Sequence, residues 1–95
     1  MFIINLTYVV DLDKVDNYID EHNEYLKKHY AKGHFIASGR KVPRTGGIIL
    51  SNLKDKEILM KILDEDPFKQ NDIAQYDIVE FVLVMTNKEL AFLKD

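Results

Sequence analysis

The hydrophobic pattern of the chain opens with a strand. From Phe2 to Val10 the residues are mostly β-branched or aromatic, and Asp11 ends the run. Successive side chains of a strand point to opposite faces. One face therefore carries only apolar and aromatic side chains and is predicted to be the helix-covered core: Ile4, Leu6, Tyr8 and Val10. The other face is mixed but uncharged, so we do not expect it to be bare to water.

The period then changes from two to a helical spacing. Between Asp11 and Ala31 the inner positions fall three or four residues apart, which predicts one amphipathic helix. Asp11 or Asp13 can cap its start, and Gly33 lies just past its end. Five side chains share its inner face: Leu12, Val15, Ile19, His22 and Leu26. An ionisable histidine in the middle of a buried stripe is the most informative feature of the sequence.

The remaining pattern completes a β-α-β-β-α-β order. His34 to Ser38 is a short second strand, and a loop rich in glycine and basic residues from Gly39 to Gly47 leads to a third strand opening at Ile48. A second helix is predicted from about Lys54 to Asp64, and residues 87–95 form a short tail that can be helical. This order predicts an α+β, ferredoxin-like fold with a four-stranded antiparallel sheet and two helices on one face.

The last strand, Tyr76 to Met85, is the most apolar stretch and carries apolar residues on both of its predicted faces. That pattern is typical of a central strand buried on both sides. Two helices can cover only one face of the sheet. We therefore predict that a second copy of the chain covers the other face, which makes a homodimer, or a larger assembly, through a two-fold axis.

Composition narrows the class of protein. Ninety-five residues indicate one domain, residues 1–95, and 13 basic against 16 acidic residues argue against a nucleic-acid partner. The absence of cysteine excludes disulfides and thiolate chemistry. No apolar run has the length of a membrane span, and the start lacks the features of a signal peptide. A cytoplasmic protein without a membrane partner is the expectation.

His22 and Asp66 are the candidate catalytic residues. His22 is either a core histidine with satisfied ring nitrogens or a general acid–base, for which its ordinary pKa is well suited. Asp66 precedes Pro67, which is typical of a helix N-cap. The same carboxylate can also orient the His22 imidazole, provided that the fold brings together two residues 44 positions apart. In that case we predict that they lie within hydrogen-bonding reach at a pocket wall.

Ser38, Gly39 and Arg40 form the candidate substrate-binding segment. The loop that follows is either a solvated hairpin or a basic rim that attracts an anion, and we predict that Arg40 and Arg44 act on ligand capture more than on stability. A metal site is not expected, because His22, His29 and His34 lack the spacing of a known metal motif. Nucleotide and dinucleotide motifs are also absent, so no cofactor is expected.

Taken together, these motifs resemble the YCII-related (YciI-like) family over nearly the whole chain. The resemblance lies in His22 followed by Leu26, the segment from Gly33 to Gly39, and Asp66-Pro67-Phe68, in that order. It implies a dimeric α+β barrel related in architecture to muconolactone isomerases. His22 and Asp66 would be the pocket pair and Ser38 a pocket residue. One branch of the family is linked to dehydrochlorination of a chlorinated hydroxyhydroquinone. Arg40 stands where the family commonly has proline.

Two functions follow from these observations. The first is a cofactor-independent lyase or isomerase in which His22 transfers a proton on a cyclic or enolisable small molecule and Asp66 fixes its tautomer. The second is a non-catalytic dimeric module that binds a small ligand or a partner protein. The two differ in the surroundings of His22, since an enzyme needs it beside a pocket and near Asp66, whereas a packing histidine is sealed.

Overall fold

A computed structural model describes residues 1–94 and contains one four-stranded antiparallel sheet. The strand order across the sheet is β2-β3-β1-β4. Each pair of neighbours runs antiparallel, so β1 lies in the middle between β3 and β4. The strands are β1 (Phe2–Tyr8), β2 (Ala37–Arg40), β3 (Gly46–Ser51) and β4 (Ala74–Glu80).

Helices connect the strands in the predicted order, so the α+β, ferredoxin-like prediction is confirmed. The helices are α1 (Leu12–Asp16), α2 (Ile19–Ala31), α3 (Lys56–Leu63), α4 (Pro67–Gln70) and a 3₁₀ helix (Lys88–Leu93). The last of these occupies the tail that was predicted to be helical, although Asp95 lies outside the described residues. No helix within residues 1–94 has both the length and the apolar character needed to cross a bilayer.

The core lies between the helices and one face of the sheet. Alternation along β1 buries Phe2, Ile4 and Leu6, which is the face predicted from the sequence. Helix α3 begins at the N-cap Asp55, whose carboxylate accepts hydrogen bonds from the backbone of Glu57 and Ile58. Three apolar side chains on one face of α3 are buried in the core: Leu59, Ile62 and Leu63. Packing of this kind fixes the helix layer against the sheet.

The prediction of one continuous first helix was wrong. The chain leaves the helical path at Asn17 and Tyr18, and the Tyr18 amide donates to the Val15 carbonyl only three residues back. Asp16 and Asn17 have low helix propensity because their side chains compete for the backbone. The buried side chains of α2 are His22, Tyr25 and His29, while Leu26 is half-buried and Leu12 is exposed.

The prediction of a central last strand buried on both faces was also wrong. β4 lies at the edge of the sheet and ends at Glu80, which pairs with Phe2. Beyond this pair, Met1 and Phe81 exchange two backbone hydrogen bonds, and the residues after Phe81 leave the sheet. Three apolar side chains that were predicted to be buried are exposed: Val82 (84%), Val84 (72%) and Met85 (80%).

The sheet face opposite the helices is open in the single chain. Ile3 lies between Leu50 and Val79 in the register, and Asn5 lies between Ile48 and Asp77. The centre of this face therefore carries four apolar side chains beside the polar Asn5 and Asp77. The Asn5 Oδ1 atom within it is buried and has no hydrogen-bond partner among residues 1–94.

Candidate active site

The fold brings His22 and Asp66 into contact. His22 lies on the inner face of α2, and Asp66 lies in the turn between α3 and α4. His22 Nδ1 and Asp66 Oδ1 are 2.8 Å apart, and both side chains are buried. The helices of a β-α-β-β-α-β fold pack side by side in one layer on one sheet face, which explains how residues 44 positions apart meet.

Asp66 also caps a helix, so both interpretations of this residue describe one geometry. Its Oδ1 accepts a hydrogen bond from the Phe68 backbone amide at 3.0 Å, as the N-cap of α4, with Pro67 in the first turn. Its Oδ2 accepts from the Tyr76 hydroxyl at 2.5 Å. Together with His22, three donors thus satisfy a fully buried carboxylate. A carboxylate with this many donors is held in one orientation.

Tyr76 is a part of the site that the sequence did not reveal. Burial, together with the charge of Asp66, raises the pKa of the Tyr76 hydroxyl, so it keeps its proton and donates. Tyr25 behaves in the same way: burial raises its pKa, and its hydroxyl donates to the Ile62 carbonyl at 2.9 Å. A tyrosine inside an alternating strand is the only signal available in the sequence, and it is an ambiguous one.

The orientation of His22 follows from its neighbours. Phe68 stacks on the imidazole with a centroid distance of 4.0 Å and an interplanar angle of 5°. Because Asp66 is an acceptor, Nδ1 carries the hydrogen in their contact. A neutral imidazole then has its lone pair on Nε2. Among the described residues no partner holds Nε2, and His22 lines a cavity. Asp66 therefore holds the ring at Nδ1, and Nε2 is available to a ligand.

The cavity measures about 330 Å³ and lies between α2, β1, β2 and β3. Asp66 does not line it but supports His22 from behind. The wall is mainly apolar, with a few polar side chains at defined places, which is the usual composition of a small-molecule site. The polar members include His22, Asn23, Ser38 and Arg40.

The two predicted substrate-binding residues both line this cavity. Ser38 pairs with Ile49 and Arg40 pairs with Gly47 across β2 and β3, so both lie on the helix side of the sheet. The Ser38 hydroxyl is 2.6 Å from the Tyr30 hydroxyl. The Arg40 side chain is exposed at the cavity rim.

Arg44 does not share this position, so the prediction that grouped it with Arg40 needs correction. Its guanidinium contacts the Asp16 carboxylate at 2.5 Å, and this contact ties the hairpin loop to α1. The ion pair raises the pKa of Arg44, which stays charged. Arg44 is not among the residues that line the cavity. Its side chain therefore ties the loop to α1, whereas Arg40 lines the cavity.

A second histidine cluster lies at the end of α2. Gly33 and His34 donate to the carbonyls of Tyr30 and His29, which is the Schellman arrangement with Gly33 in the left-handed region (φ 77°). The Nδ1 atoms of His29 and His34 are 2.9 Å apart, and His29 Nε2 is 3.2 Å from Glu65. Burial lowers the pKa of His29, although Glu65 opposes the shift. No metal-binding group of three or more side chains occurs in residues 1–94.

The fold and the site together define a class: a ferredoxin-like α+β domain with a histidine–carboxylate pair beside a small cavity. The model of the YCII-related domain matches residues 1–82, so the chain belongs to the YCII-related family, as its motifs predicted. No functionally curated protein matches the chain in sequence.

Among solved structures, the chain is similar to 5-chloro-2-hydroxyhydroquinone dehydrochlorinase from Burkholderia phenoliruptrix AC1100, in complex with 2,5-dihydroxybenzoquinone. The TM-score is 0.71, and the match covers 86% of this chain and 94% of that chain. The sequence identity is 13%, so this likeness establishes the fold alone.

Proposed function

We propose that the protein is a cofactor-independent enzyme of the lyase or isomerase type that acts on small cyclic or enolisable molecules. His22 is its general acid–base, Asp66 fixes the His22 tautomer, and Ser38 and Arg40 contact the substrate. One observation carries the proposal: the 2.8 Å contact between His22 Nδ1 and Asp66 Oδ1 leaves Nε2 as the basic nitrogen beside the cavity.

In the proposed reaction, Nε2 removes a proton from a carbon adjacent to a carbonyl group. The electron pair of the broken C–H bond moves onto the carbonyl oxygen and forms an enolate, while Asp66 stabilises the imidazolium. In a lyase the pair then returns and expels a leaving group such as chloride from the carbon next to the deprotonated one, and the imidazolium releases its proton to water. In an isomerase the imidazolium returns the proton at another carbon. Both routes balance atoms and charge with His22 as the only proton carrier.

The dehydrochlorinase with the same fold supports a reaction of this class. Its name describes the removal of hydrogen and chlorine from a hydroxylated ring, and its structure contains a dihydroxybenzoquinone. A flat ring of that size is compatible with a cavity of about 330 Å³.

The test is a screen of hydroxylated aromatic compounds, chlorinated analogues and lactones for turnover. We expect His22→Gln to lower kcat by a factor of about 10²–10⁴, because a positioned acid–base contributes that much. His34→Gln is the matched control, since His34 lies outside the cavity lining, and it should retain activity. If compounds bind but none is turned over, or if His22→Gln is as active as the parent, the enzyme proposal is wrong and a ligand-binding module replaces it.

The open sheet face leads us to propose a homodimer. Four apolar side chains lie at its centre: Ile3, Ile48, Leu50 and Val79. Val79 is 54% exposed in the single chain. A second copy placed face to face would cover these side chains through a two-fold axis.

Sedimentation at micromolar concentration tests the dimer. We expect the parent to sediment as a dimer and Val79→Lys to sediment as a monomer, because a lysine on each copy places unpaired charge in the interface. Val42→Lys is the control, since Val42 lies in the hairpin loop and is 93% exposed. A monomeric parent, or equal effects of the two lysines, would contradict this assembly.

A further inference from the structure

Among the described residues that line the cavity, Arg40 is the only permanently charged side chain, and none is an aspartate or glutamate. The Asp66 carboxylate lies behind His22 and is already satisfied by three donors. A ligand in this cavity therefore meets one uncompensated positive charge at the rim. Since the whole chain carries a net charge of −3, this local charge differs in sign from its surroundings.

The other two basic residues of the hairpin are engaged elsewhere. Arg44 pairs with Asp16, and Lys41 Nζ donates to the Thr7 hydroxyl at 3.0 Å. Neither lines the cavity. Within residues 1–94 no hydrogen bond or ion pair holds the Arg40 guanidinium, so its five N–H donors remain available for a ligand. Arginine binds oxyanions with two parallel hydrogen bonds, which selects carboxylates and related planar groups.

The rest of the wall sets the body of the ligand. Apolar side chains surround the space next to His22: Leu6, Ile19, Leu26, Ile49 and Phe68. A polar group on the ligand's body would lose water there and find a partner only where it reaches Asn23 or Ser38. A second negative charge would also lack a counter-charge, because the wall provides only one. The cavity thus favours a small, apolar or flat body with a single charged group at one end.

We propose that this site selects small monoanionic substrates, in which a carboxylate or comparable planar oxyanion binds Arg40 and an apolar body places the reacting carbon at His22. The proposal rests on the function proposed above, since it assigns the substrate class of the same site.

Two non-reactive ligands of equal shape test the charge preference. Benzoate and benzamide are titrated into the parent protein by calorimetry or NMR. We expect benzoate to bind about tenfold to a hundredfold more tightly, which corresponds to hydrogen bonds between charged groups. The preference should shrink as salt increases, because Arg40 is exposed at the rim. Phenyl phosphate, as a dianion, should bind no more tightly than benzoate.

Arg40→Ala should remove the preference for benzoate, while Arg44→Ala, which deletes an equal charge from the same hairpin, should keep it. Arg40→Ala should also leave the melting temperature nearly unchanged, because the side chain is exposed. If Arg40→Ala does not fold, the salt dependence of benzoate binding to the parent protein still tests the proposal. Benzamide binding as tightly as benzoate, no binding of either ligand, or equal effects of the two arginine variants would overturn the proposal.

The variant His22→Gln separates this inference from the proposed reaction. It removes the imidazole as an alternative partner for the anion and should still prefer benzoate. If His22→Gln keeps the preference for benzoate and the parent turns over no compound in the screen, the enzyme proposal is refuted and the anion site remains. Turnover of neutral compounds without a charge preference would refute the anion site and leave the enzyme.

Discussion

Gly46→Ala is expected to prevent stable folding. A Cβ atom built at Gly46 would lie 1.8 Å from the Leu6 carbonyl oxygen and 2.8 Å from the Leu6 carbonyl carbon. Both atoms belong to the backbone of β1, which pairs with β3 through Thr7 and Gly46, so no side chain can move aside. The two central strands would have to separate. We expect a loss of more than about 4 kcal/mol, against a total of about 5–15 kcal/mol for a typical domain.

Urea denaturation followed by circular dichroism measures this loss, and Gly39→Ala provides the matched control. Gly39 also lies in the sheet and pairs with Ile48, but a Cβ atom there meets nothing within 4 Å. We expect its stability to stay within about 1 kcal/mol of the parent. If Gly46→Ala unfolds at the same urea concentration as Gly39→Ala, the close approach of β1 and β3 is wrong.

The sequence predicted the fold class because the pattern that sets it is local. Alternation along β1 and the stripe of α3 each lie within one element, and their order leaves few topologies. One error arose where an element depends on a distant one, because the pairing of the strands places β4 at the edge of the sheet and its own composition does not show this. The break after Asp16 has a local cause that the apolar spacing does not show, since Asp16 and Asn17 weaken the helix between two stretches that keep the spacing.

The residues of the candidate site likewise divide into those that the sequence reveals and those that only the fold reveals. His22 could be recognised because a histidine within an apolar helical stripe is unusual, and Asp66 because it precedes proline after a helix. Tyr76 could not be recognised, since its contact with Asp66 depends on the register of β4 beside α4. Arg40 and Arg44 looked equivalent in the sequence. Only the path of the hairpin loop separates them, because it brings Arg44 to Asp16 and leaves Arg40 at the cavity.

Replacing Asp66 should cost the protein both stability and the orientation of His22. Asp66→Ala leaves three donors without their acceptor: His22 Nδ1, the Phe68 amide and the Tyr76 hydroxyl. Removing one partner of a buried charged contact typically costs about 3–5 kcal/mol. Asp64→Ala is the control. Asp64 lies two positions away, and its carboxylate accepts from exposed Lys69 at 2.6 Å, so we expect a loss of about 0–1 kcal/mol.

Asp66→Asn tests orientation with little change in shape. The asparagine side chain is uncharged, and the amide nitrogen that replaces one carboxylate oxygen cannot accept the hydrogen of the Tyr76 hydroxyl. The neutral imidazole of His22 is then no longer confined to the tautomer with hydrogen on Nδ1. The ¹⁵N chemical shifts of the His22 ring report this directly. We expect the Nδ1–H tautomer to dominate in the parent and in Asp64→Ala, and its population to fall in Asp66→Asn. Unchanged shifts, together with equal stability of Asp66→Ala and Asp64→Ala, would mean that Asp66 does not orient His22.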